Sequence, residues 1–201
     1  MPLNQPCPEA VGAMLSRRSV KTRDMVAPGP DEAALERILA AGRRVPDHGK
    51  LAPWRFFVFR EAARAALGRV IRDAYLAEEP NPSQAAARSL AAFPCEAPVL
   101  VILASTPSDA RPIPEWEQRL SAGAAGMAML TAAHLLGFVG QWLTGWPAYS
   151  PGVARHLGLD GADRIAGFLF FGSAGRTPSE RPRPAPGLVV RHFRTEADVL
   201  G

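Results

Sequence analysis

Residues 120–140, LSAGAAGMAMLTAAHLLGFVG, run for 21 positions without an Asp, Glu, Lys or Arg. A charge-free stretch of this length approaches a membrane span. Against that reading stand His134, the many Ala and Gly residues of low hydrophobicity, and the lack of a second such stretch. Gly137 also reads as a helix stop. The segment therefore predicts a long helix, about 114–136, buried in a large core or a subunit interface. A chain of 201 residues can supply such a core without disulfides. Its 47% hydrophobic and 21% charged residues exclude a disordered, collagen-like or disulfide-framework protein.

The remaining sequence alternates short apolar runs with helical patterns. Residues 8–16 read as a helix with Pro8 in its first turn, and 17–30 as a polar, basic connector. Asp31 caps a helix to about Ala41, with Gly42 as its stop. Residues 43–54 form a loop and 55–60 a strand. Helices follow at 61–76 and 83–92, parted by EEPNPS. The continuous apolar runs 98–104 and 164–171 predict strands buried on both faces. A short strand near 138–143 follows the long helix, and 151–157 is a short helix. A Pro/Arg/Ser-rich stretch at 173–187 leads to a last strand at 188–193. The fold class is α+β, with a central sheet wrapped by helices in a single domain spanning 1–201. The irregular stretch is long for a compact domain, so the arm from about 173 to 201 either wanders over its own subunit or reaches another.

Charge and cysteines bound the function. The formal charge is +4, and all cations except Lys21 and Lys50 are arginine. Arginine suits bidentate capture of phosphate or carboxylate, although a base-composition bias explains the excess as simply. A charge of +4 spread along the chain argues against a nucleic-acid partner. Cys7 and Cys95 form no CxxC and have no nearby His, which argues against a disulfide scaffold or a metal site. The start MPLNQPCPEA lacks the basic and apolar regions of a signal peptide, so the expectation is a cytoplasmic protein with no membrane partner.

Three constellations carry chemistry. Arg17-Arg18-Ser19, followed by Lys21 and Arg23, can bind a phosphate monoester through charge-assisted hydrogen bonds. By itself it is as well explained as a solvated helix end. The loop Arg43-Arg44-Val45-Pro46-Asp47-His48-Gly49-Lys50-Leu51-Ala52-Pro53-Trp54 is dense in donors that suit the edge of a heteroaromatic ligand, though Asp47 also fits a simple Asx turn. Gly140-Gln141-Trp142-Leu143-Thr144-Gly145-Trp146-Pro147, after the long helix, offers small residues and backbone groups to a planar ring, or equally a turn with two core tryptophans.

In this order and spacing the three resemble the FMN-dependent nitroreductases. RRSVK is similar to that family's opening RRS-x-[RK] motif. RVPDHGKLAPWRFFVF is similar to its A-P-[SD]-x-x-x-x-Q-P-W-x-F-x-V segment. PEWEQRLSAGAAGMAMLTAAHLLGFVGQWLTG resembles the central helix and following strand of the compact, YdjA-like branch, and RIAGFLFFG a later family strand. The resemblance covers about residues 9–193. Ala52 departs from the family's Gln, and Leu143 from a polar residue common in relatives.

The resemblance implies a nitroreductase-like fold and an FMN cofactor at the interface of a homodimer. The C-terminal strand would be exchanged between subunits. Arg17, Arg18 and Ser19 would hold the FMN phosphate and ribityl chain. Arg44 and His48 would reach the flavin from the second loop, from their own or the other subunit, and Lys50 its pyrimidine edge. Trp142, Leu143 and Thr144 would pack on its other side, partly through backbone groups, and Arg176 would reach the phosphate. The implied reaction is ping-pong hydride transfer from NADH or NADPH through FMN to a nitroaromatic, quinone or similar small-molecule acceptor. The chemistry is the flavin's, so no side chain serves as nucleophile. No GxGxxG supports a separate dinucleotide site. The alternatives are a flavin-binding or regulatory protein without efficient turnover, and a different flavin chemistry such as oxygen-dependent flavin cleavage or dehalogenation.

Overall fold

The computed structural model describes residues 5–200. In chain order the elements are α1 (Pro8–Ser16), β1 (Met25–Val26), α2 (Glu32–Gly42), β2 (Trp54–Arg60), α3 (Ala62–Glu78), α4 (Gln84–Ala92) and β3 (Val99–Ser105). These are followed by α5 (Glu115–Leu135), β4 (Val139–Leu143), α6 (Trp146–Tyr149), α7 (Pro151–His156), β5 (Arg164–Ala174), α8 (Pro186–Val189) and α9 (Glu196–Leu200). Local chemistry sets several boundaries. The Asp31 carboxylate accepts from the Ala34 amide at 2.8 Å and caps α2. Ser150 caps α7 by accepting from the Val153 amide at 3.1 Å.

The sheet is antiparallel. β5 lies between β3 and β4, β2 pairs the other edge of β3, and the two-residue β1 extends the end of β5. Every residue of β3 is buried, as an apolar run at the centre of a sheet requires. Its side chains alternate between two layers. Leu100 and Ile102 face a core shared with Leu67 and Ile71 of α3 and Phe168 and Phe170 of β5. Val99, Val101 and Leu103 face a second core with Ile38 of α2, Met129 and Leu130 of α5, and Phe171. Each large side chain buried in this way contributes about 1.5–3 kcal/mol, so the helix–sheet–helix sandwich is the main source of stability.

Two expectations change, at Gly42 and at residues 188–193. α2 continues through Gly42, because α5 crosses there so closely that a Cβ would lie 2.8 Å from Met129 Cγ and 3.1 Å from Phe56 Cζ. Gly42 is thus a packing residue, not a stop. α5 is buried on one face only; Trp116, Leu120, Met127 and Leu135 on the other are about half exposed or more. No helix among the described residues is long and apolar enough to cross a membrane. Residues 188–193 form no strand within this chain. Pro186, with Ala185 before it, starts the single helical turn of α8, and the chain then runs extended from Val190 without a ladder partner in the described residues.

Candidate functional site

The first and third constellations meet. Ser16 Oγ lies 3.0 Å from His134 Nε2, tying the end of α1 to the end of α5. The chain then crosses to the outer edge of β4, where Ser19 bridges Gly140 and the Val20 amide donates to the Gly140 carbonyl at 3.3 Å. The Thr22 amide donates to Gln141 Oε1 at 2.9 Å. This docking directs Arg17 and Arg18 away from the sheet into a cleft of about 330 Å³, lined also by Ser19, Ser179, Arg181 and Arg183. Four arginines therefore line a single cleft. One carboxylate, Glu180, pairs with Arg18 and lies 3.8 Å from Arg183. Burial, with Arg183 and Arg18 beside it, pushes the Arg17 guanidinium below its ordinary value. Such an excess of like charge, with a hydroxyl beside it, is suited to a multiply charged oxyanion.

Sequence reasoning missed Arg181 and Arg183. The signal was the Arg-Pro-Arg-Pro repeat at 181–184, whose prolines fix the backbone in an extended path along the cleft. The expected third cation, Arg176, sits next door. It pairs with Asp24 at 2.6 Å and lines an adjoining cleft of about 290 Å³ with Ser19 and Lys21.

β4 offers backbone groups at its outer edge, while the Trp142 and Leu143 side chains turn inward. The Trp142 indole turns inward, donating to the Ala166 carbonyl at 3.0 Å, and it lies so close to α5 and β5 that a Cβ at Gly126 or Gly167 would overlap it. Leu143 packs into the opposite core. Gly140 and Trp142 share one edge of the strand. The Trp142 amide and carbonyl thus face the same outer edge as the Gly140 carbonyl that Val20 uses, with Thr144 exposed just beyond.

The second constellation forms a separate group. The Asp47 carboxylate accepts from the Leu51 and Ala52 amides at 3.0 and 2.9 Å, a wider loop clamp than an Asx turn. It holds Lys50 and Ala52 at φ values of 57° and 47°, in the left-handed region that costs non-glycine residues free energy. His48 Nδ1 lies 2.7 Å from Glu117 Oε2 on the first turn of α5, and Ser121 donates to the Pro46 carbonyl. Arg44, His48 and Lys50 are all exposed. The His48–Glu117 and Pro46–Ser121 contacts fall near the start of α5, whereas the arginine cleft adjoins its end. Between Glu117 and His134 the helix rises about 25 Å. The loop also enters β2, while Ser19 docks on β4, three strand spacings or roughly 14 Å away across the sheet. One chain does not bring the two groups together.

Comparisons with known proteins agree with this architecture. The sequence profile of the Nitroreductase family matches residues 14–173. The protein named "Putative NAD(P)H nitroreductase YdjA" from Escherichia coli K12 is 33% identical over 181 residues, 89% of this chain and 97% of its own. A similarly named protein from Haemophilus influenzae is 29% identical, covering 86% of this chain and 92% of its own. Among solved structures, a nitroreductase-like family protein from Bacillus cereus superposes with a TM-score of 0.79 at 19% identity, covering 97% of this chain and all of that one. A nitroreductase with bound FMN from Bacteroides fragilis gives a TM-score of 0.68 at 22% identity over 92% of this chain and 99% of its own. With the profile spanning most of the sequence and the fold shared end to end, this chain belongs to the nitroreductase family.

Proposed function

We propose that the protein is an FMN-dependent NAD(P)H oxidoreductase that works as a homodimer and reduces a nitroaromatic, quinone or similar small acceptor. The observation that carries this reading is the convergence of Arg17, Arg18, Arg181 and Arg183 with Ser19 on one cleft beside the outer edge of β4. That donor set fits the phosphate end of a flavin mononucleotide. When bound, FMN supplies the redox chemistry, taking a hydride from NADH or NADPH and passing electrons to the acceptor.

The chain's own groups bind and orient. Arg17 and Arg18 hold the phosphate and Ser19 the neighbouring hydroxyl chain, while Arg176 steadies the arm through Asp24. The edge of β4 at Trp142 presents backbone donors and acceptors to the flavin, next to the Thr144 hydroxyl and the Leu143 backbone. The distance between the arginine cleft and the Arg44–His48–Lys50 loop exceeds the reach of one flavin mononucleotide. A second copy of the chain supplies that loop, with Glu117 fixing the His48 ring. The exposed apolar stripe of α5 supports the same assembly. The whole of 1–201 then acts as one FMN-binding domain, with the arm from about 173 reaching the partner, in the cytoplasm.

The test is the absorption spectrum of the pure protein. Flavin bands that bleach anaerobically with NADH or NADPH, and return on adding a quinone or nitroaromatic, are expected. A protein that takes up no FMN, or whose bound FMN is not reduced by either dinucleotide, defeats the proposal.

A further inference from the structure

The arm that brings Arg181 and Arg183 to the cleft also brings a carboxylate. Glu180 pairs with Arg18 and reaches Arg183, so it engages guanidiniums on both walls. Its amide neighbour Arg181 donates to the same carboxylate at 2.9 Å, which turns Glu180 toward the cluster. Arg18 has no other acidic partner among the described residues; its remaining bonds go to the Leu15 and Arg17 carbonyls at 3.0 and 3.1 Å. Arg17, Arg18 and Arg183 therefore crowd together against one carboxylate, with Arg181 also lining the cleft, and that carboxylate is covalently tethered on the arm itself.

We propose that Glu180 is a specificity-determining internal anion that competes with an incoming phosphate for Arg18 and Arg183. Only a ligand with a stronger charge than a single carboxylate displaces it. A phosphate monoester near neutral pH carries a charge of about −1.5 to −2 and three acceptor oxygens, and so qualifies. A monocarboxylate does not. The carboxylate thereby tunes the cleft against weaker anions and lowers its affinity for the correct one. This rests on the FMN reading for its physiological ligand, but the cleft's preference among anions can be measured without any flavin.

The experiment uses the full chain dialysed free of flavin, the Glu180→Gln variant treated alike, and Glu196→Gln as a control for net charge on the same arm, with FMN added back for the release measurement. Inorganic phosphate and acetate are compared as stabilisers in thermal melts, and FMN release is followed by its fluorescence on serial dilution. Glu180→Gln is expected to lower the phosphate concentration needed for a given stabilisation by about 2- to 5-fold, the size of one partly exposed ion pair. It should also let acetate stabilise the protein where it did not before, and lower the FMN dissociation constant by a similar factor. Glu196→Gln should change none of these. Phosphate that stabilises neither protein, a Glu180→Gln variant that binds phosphate no better, or an equal effect of Glu196→Gln overturns the proposal. If the anion responses appear as expected but neither protein holds FMN, Glu180 keeps this role and the flavin reading falls.

Discussion

Replacing Arg17 and Arg18 together by alanine should move cofactor binding and folding stability in opposite directions. Arg17 is crowded by Arg18 and Arg183 and partly desolvated, so its charge opposes folding unless an anion is present. The sign follows from linkage. A cation whose folded value is lowered penalises the folded state at every pH below that value, and the penalty is relieved only in strongly alkaline solution. Both states are fully protonated near neutrality, so the residue adds no slope to stability from about pH 6 to 9. Flavin-free protein should therefore melt no lower in the double variant than in the parent, apart from the lost Arg18–Glu180 pair. Against a bound phosphate the balance reverses. Each charge-assisted hydrogen bond contributes about 1.5–3 kcal/mol, which is roughly 10- to 100-fold in affinity at about 1.4 kcal/mol per decade. The two residues share one ligand, so their losses do not simply add, and a fall of at least ~10-fold is the safe expectation. The assay is FMN fluorescence on dilution, with circular dichroism to show that the variant is folded. A folded double variant that retains FMN as tightly as the parent refutes the assignment of the cleft.

Under the proposed function, His48→Asn should preserve measurable NAD(P)H-to-acceptor turnover, because the ring would contact the flavin and move no proton; lost turnover with flavin occupancy, potential and fold intact would assign it an acid–base role. Gly167→Ala pushes a methyl group into the Trp142 indole and should cost about 1–3 kcal/mol. At about 2–4 °C per kcal/mol for a domain of this size, a melting temperature equal to the parent's would show that β4 yields freely. Deleting residues 186–201 removes Leu188, Val190 and Phe193, all exposed in the single chain, and should lower dimer content and flavin occupancy together; sedimentation and absorbance that match the parent would rule out a crossing arm.

Where local chemistry decides the structure, it was legible. The apolar runs of β3 and β5, the Asp31 cap and the break before α4 needed no tertiary information. β1 was not legible, since a two-residue strand exists only because Ala174 and Ser173 lie opposite it. Residues 188–193 carry the valines and phenylalanine of a strand, but a strand must also lie along a sheet edge, and this segment pairs with none in the described chain. The site divides in the same way. Arg17, Arg18 and Ser19 stood out because adjacent charges and a hydroxyl are visible in one dimension. The orientation of Trp142 was not legible, because a sequence does not say which way an indole turns; the two glycines that make room for it, Gly126 and Gly167, lie 16 and 25 positions away from it. Arg181 and Arg183 were hidden inside a stretch whose prolines signalled only irregularity.

The charge-free helix that opened the sequence gains a specific meaning from this geometry. On its buried face, Ala122, Ala125, Met129 and Ala133 exclude charge because they pack against the sheet and α2. On its outer face a charge would meet only water in a single chain, and surface substitutions of that kind are close to neutral. Yet Leu120, Gly123, Met127 and Leu135 stand there instead. Charges do occur in the first turns, where Glu117 holds His48 and Arg119 donates to the Ala162 carbonyl at 3.1 Å. They stop where the helix runs past the level at which its own chain uses them. An outer face that stays uncharged from Leu120 to Leu135, with a glycine that leaves room for close approach, fits the second copy of the chain proposed above. In the homodimer proposed above, the same approach would carry the His48 loop of one chain toward the arginine cleft of the other, and the composition of one helix and the separation of the two groups would share a cause.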